Sequence, residues 1–122
     1  MTERDKVSAY KELIVWQKSI ELAKTVYAVS GRFPKEEQFG LTAQLRRAAV
    51  SVSSNIAEGS GRATRSEYAR FLAIARGSCF EVETQLILCR EIGFCSEQEL
   101  VPAFALVREI GRMLNTMIRK LS

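Results

Sequence analysis

Apolar residues recurring in steps of three and four, in four segments punctuated by glycine and proline, constrain this chain more than any other feature. Leu13, Trp16, Ile20, Ala23 and Tyr27 form the first stripe, and Leu41, Leu45, Ala48, Ala49, Val52 and Ile56 the second. Tyr68, Phe71, Leu72, Ala75, Cys79, Val82, Leu86 and Cys89 form a third, followed by Leu100, Ala103, Phe104, Val107, Leu114, Ile118 and Leu121. Such spacing lines one face of an α-helix, and no alternating strand pattern competes with it. Gly31 with Pro34, Gly59 with Gly61, and Gly93 supply the stops. Thr64 with Glu67, and Ser96 with Glu99, read as capping boxes that open the third and fourth helices.

These signals predict helices at about residues 10–31, 37–59, 65–92 and 97–121. Short connections between helices of this length favour an all-α, antiparallel up-down-up-down four-helix bundle, with residues 1–122 as one domain. A hydrophobic content of 47% can supply its core without metal or disulfide staples. Two residues sit awkwardly. Pro102 lies beyond the first turn of the fourth helix, so it should bend that helix or delay its start. Gly77, in the middle of the third, costs about 1 kcal/mol relative to alanine, which a close helix contact would explain.

Three helices carry a second apolar face: Val15, Leu22, Val26 and Val29; Ala43, Val50 and Ala57; and Ala69, Ala73, Phe80 and Ile87. A lone bundle would leave these faces wet, so subunit packing into a homo-oligomer is expected.

The chemistry available to the chain is narrow. It has no histidine, which removes the commonest general base and metal ligand together. Cys79, Cys89 and Cys95 form no CxxC pair and read as reduced thiols. The Gly59-Ser60-Gly61-Arg62 turn lacks a preceding strand and the lysine of a phosphate loop, and Ser51, Ser53 and Ser54 have no evident activating base. The expectation is a non-enzyme without metal or cofactor. The stretch Met1 to Val7 is charged, and no apolar run approaches the roughly 20 residues of a membrane span, so a cytoplasmic protein without a membrane partner is expected.

Net charge is +4, divided as +1 over residues 1–40, +4 over 41–80 and −1 over 81–122. The middle third holds six cations, all arginine: Arg46, Arg47, Arg62, Arg65, Arg70 and Arg76. Read as one surface near the turn between the second and third helices, they suit phosphate, because a guanidinium fork holds two phosphate oxygens at once. Such contacts give affinity without sequence choice. Nearby polar residues admit two readings. Gln44, Asn55, Glu58, Ser78 and Glu81 either form buried hydrogen bonds that fix helix register or belong to a functional surface.

The string from Phe33 to Arg62, FPKEEQFGLTAQLRRAAVSVSSNIAEGSGR, followed by SEYARFLAIARGSCFEVETQL, resembles the 23S rRNA intervening-sequence protein family, also called the four-helix bundle protein family. Phe33-Pro34, Phe39-Gly40-Leu41, Gln44-Leu45-Arg46-Arg47-Ala48-Ala49, Asn55-Ile56-Ala57-Glu58-Gly59 and Gly77-Ser78 with Glu81 carry the likeness, which extends from about Leu13 to Leu121. The resemblance implies a homopentamer. It also implies kinship with the accessory factor of diversity-generating retroelements, a basic pentamer that binds nucleic acid and a reverse transcriptase. The family name refers to the location of genes inside ribosomal RNA intervening sequences, which is not a biochemical activity.

Three functions follow as expectations. The foremost is a nucleic-acid-binding accessory protein, taking RNA or DNA on the arginine surface, with a protein partner such as a reverse transcriptase. A scaffold is the alternative, its arginines pairing with Glu58, Glu67 and Glu81 and no nucleic acid bound. A metal-assisted RNA-processing enzyme built on Glu58 or Glu81 is the third.

Overall fold

The computed structural model describes residues 9–122; the charged Met1–Val7 stretch lies outside them. Four α-helices follow two short 3-10 turns at Ala9–Glu12 and Lys35–Glu37: α1 (Ile14–Ser30), α2 (Leu41–Ser60), α3 (Arg65–Glu91) and α4 (Glu97–Leu121). There is no strand among the described residues. Each helix packs on its neighbours in sequence, and α1 closes the ring against α4, while the backbones of the diagonal pairs α1/α3 and α2/α4 stay apart. Up-down connectivity with short turns gives this arrangement.

The helix starts follow local chemistry. The first predicted helix is shorter than 10–31 because residues 9–12 wind as a 3-10 turn and Leu13 is extended. The second begins at Leu41, because Pro34 starts a 3-10 turn and Gly40 takes a non-helical conformation. Glu37 Oε1 accepts from the Leu41 N–H at 3.2 Å, capping α2 from outside. Ser96 and Glu99 form the full reciprocal box at the start of α4. Only half of the Thr64/Glu67 box forms, with Thr64 Oγ1 accepting from the Glu67 N–H at 3.1 Å.

Pro102 does not delay α4. It lies on the solvent side, and the carbonyl it leaves without a partner belongs to exposed Gln98, which water can reach. Gly77 needs another account than the expected close contact, since a Cβ built there meets nothing within 4 Å. That close approach falls at Gly59, where a Cβ would stand 2.8 Å from Phe71 Cβ and draws α2 and α3 together at their turn. Gly93 takes φ +82°, the left-handed conformation that ends α3.

The core is largely the one expected for α2, α3 and α4, with Ile110 added. For α1 the two stripes exchange roles. Val15, Leu22 and Val26 are buried, together with Ser19 and Ser30, while Trp16 and Ala23 sit half-buried at the flank and Tyr27 is exposed. Between four helices there is room for aliphatic side chains and serine, whose hydroxyls bond backbone carbonyls one turn back. The broad rings go to the edge, Trp16 packing edge-on to Tyr10 at 5.2 Å. The α1 face read as a wet second stripe is therefore consumed within the bundle. The outer faces of α2 and α3 remain uncovered: Phe80 is 62% and Val50 41% exposed.

Candidate nucleic-acid interface

The six middle-third arginines do not form one surface. Arg46 and Arg47 sit in the second turn of α2, roughly 20 Å of helix rise from the α2–α3 turn that carries Arg62. Arg46 is half-buried and turned inward: its Nε donates to Ser30 Oγ at 2.8 Å, Nη2 donates to the Tyr27 carbonyl at 3.3 Å, and its guanidinium lies 4.5 Å from the centre of the Tyr27 ring. It ties α2 to the end of α1. Arg76 is also committed, donating to Asn115 Oδ1 at 2.9 Å across α3 and α4. Arg47 is exposed and makes no ion pair or hydrogen bond with another described residue.

The remaining three gather at one end of the bundle. Arg62 pairs with Glu58 at 2.6 Å, and the Arg62 and Arg70 guanidinium carbons lie 4.5 and 5.1 Å from the centre of the same Phe71 ring. Arg65 opens α3 and donates to the Lys120 carbonyl at 2.6 Å, which brings the last turn of α4 alongside. This end thus collects Arg62, Arg65, Arg70, Arg119 and Lys120 against Glu58 and Glu67, while Lys11 and Glu12 of the adjoining 3-10 turn offset each other. Attraction to the face of the Phe71 ring helps to hold both guanidiniums at this end.

The polar network is smaller than expected. Ser51 Oγ bonds Ser78 Oγ at 2.8 Å between α2 and α3, and Asn55 Nδ2 donates to both the carbonyl and the hydroxyl of Ser51. Asn55 and Ser78 thus act in helix register, through Ser51. Glu58 turns instead to Arg62. Gln44 and Glu81 line a neighbouring recess with Arg47 and Gln85, and neither makes a side-chain hydrogen bond with another described residue. Of the acids expected to pair with the arginines, only Glu58 does so; Glu67 and Glu81 form no ion pair among the described residues.

Sequence reasoning overlooked Phe39 and Tyr27 as surface groups. Phe39 is 89% exposed, and with Tyr27, Gln38, Thr42, Ala43, Arg46, Arg47, Val50 and Ser51 it lines an open trough of about 690 Å³. The signal was present in the sequence: Phe39 directly precedes the glycine that begins α2, outside every helical stripe.

Burial pushes the thiols of Cys79 and Cys89 up to about 12, so both stay protonated and unreactive at neutral pH. No cluster of three potential metal ligands occurs among the described residues, and no helix there is long and apolar enough to cross a membrane.

Comparison with curated proteins finds no match. Among solved structures the chain is similar to a protein of unknown function from the S23 ribosomal protein family of Bacteroides thetaiotaomicron. The TM-score is 0.78 at 23% identity, over 86% of this chain and 98% of that one, which establishes a shared fold. The pattern that defines the 23S rRNA-intervening sequence proteins matches residues 11–116, and with the matching helical architecture it places this chain in that family.

Proposed function

We propose that this chain is a non-catalytic accessory protein that binds RNA or DNA through phosphate contacts at the basic end of the bundle. The observation that supports it is the gathering of Arg62, Arg65, Arg70, Arg119 and Lys120 around a turn where two carboxylates oppose them. Phosphate contacts of this kind release counterions, so affinity should fall steeply with salt. Titrating the purified chain into labelled structured RNA and duplex DNA, and following fluorescence anisotropy, reads this directly. With about three phosphates contacted, log K is expected to fall against log salt with a slope of about −2 to −3. A flat response, or no binding at low salt, contradicts the proposal.

Self-association is the second part of the reading. The outermost strip of α3, made of Ser66, Ala69, Ala73, Gly77, Phe80, Thr84 and Ile87, carries no charge over about six turns. An uncharged strip with a largely exposed phenylalanine suits packing against another copy, as does the unfilled space over Gly77. Repeating the basic end in a homo-oligomer, such as a pentamer, would raise avidity without new contacts. The same strip favours the scaffold alternative, in which copies assemble and no nucleic acid is held.

A further inference from the structure

The trough beside α2 lies at the other end of that helix from the basic turn, and its lining is unusual. It holds two arginines and two aromatic rings and no carboxylate. Phe39 is 89% exposed on a short turn, although hiding a phenylalanine typically stabilises a fold by about 1.5–3 kcal/mol. Tyr27 is 47% exposed, with Arg46 stacked 4.5 Å from its ring centre and anchored by two hydrogen bonds. Arg47 is the one cation of the trough without an intramolecular partner among the described residues. Ser51 adds a hydroxyl beside it.

We propose that this trough holds a single-stranded segment of nucleic acid, with a base stacked on Phe39 and the adjoining phosphate on Arg47. The inference rests on the nucleic-acid reading above and adds the form of the ligand. Ring faces accept any base, whereas a duplex keeps its bases stacked on one another and offers only backbone. The absence of a carboxylate from the lining suits a polyanion, and the anchored Arg46–Tyr27 stack gives the trough a fixed wall that need not be ordered on binding. Val50 and Ala43 contribute apolar area against sugar and base.

The test uses the full chain with labelled oligo(U), oligo(dT) and a duplex of equal length, at one fixed moderate salt concentration. The expected result is that Phe39→Ala weakens both single strands by about 5- to 150-fold, the range found for loss of one stacked base, while Phe39→Tyr restores them. Duplex affinity should stay unchanged in both variants. Equal loss for duplex and single strands, no loss at all, or a change in solution mass by light scattering in Phe39→Ala would overturn the inference; the last would assign the trough to a second copy. If single strands bind no better than the duplex and Phe39→Ala is neutral, the broader proposal still stands. If nothing binds, both fail.

Discussion

Leu45→Ala should lower the unfolding free energy by about 3–5 kcal/mol, because the side chain has no solvent exposure and its removal leaves a cavity that helices on every side hold open. In a domain of this size the loss corresponds to a fall in Tm of roughly 10–20 °C. Leu45 immediately precedes the arginine pair of α2, so the variant also separates fold from function. Chemical denaturation followed by circular dichroism measures the stability. Binding by the fraction that remains folded should keep its ordinary affinity, since no group at the basic end has changed. A loss under 1 kcal/mol would mean that the core is packed otherwise than described.

Arg46→Ala carries the second large effect, about 2 kcal/mol of stability, while Arg47→Ala should cost less than about 0.5 kcal/mol although the two residues are adjacent. Arg46 makes two hydrogen bonds to the end of α1 and covers the Tyr27 ring. Removing it leaves the Tyr27 carbonyl and the buried Ser30 hydroxyl without their charged donor and frees the α1–α2 corner. Arg47 faces outward and releases nothing when truncated. Thermal melts of the two variants side by side are decisive: equal destabilisation would contradict the division of roles between them.

That division shows where the sequence was informative. Stops and periodicity located four helices because glycine, proline and capping residues act within a few positions of themselves. Faces were harder. Helix α1 has two apolar stripes of similar length, and the choice between them was made by space in the bundle centre, which favours Val15, Leu22, Val26 and two serines over Trp16 and Tyr27. No local rule contains that information. The arginines show the same limit: six in one stretch look like a cluster, yet a helix of 20 residues carries Arg47 far from Arg62. Whether a guanidinium faces a carbonyl, a ring or solvent depends on the neighbouring helix. Ser51 stood in the sequence only as a serine without an activating base, and its part in linking Asn55 to Ser78 depends on α2 and α3 lying side by side. The exposed Phe39 stood outside every stripe, and periodicity has no category for an aromatic residue in a turn.

Charge reversal at the basic end separates phosphate binding there from every structural role of the arginines. The variant Arg62→Glu with Arg65→Glu and Arg70→Glu leaves Arg46 and Arg76 in place, so the contacts that tie the helices together are largely kept. Its helical content and solution mass are checked first, and affinity for structured RNA is then measured across salt concentrations beside the unaltered chain. If the basic end binds phosphate, the variant stays folded at unchanged mass, with affinity lower by about tenfold or more and a salt slope shallower by about 2 to 3, near 0.9 for each lost phosphate contact. A folded variant that binds as tightly as the unaltered chain, with the same slope, would contradict it.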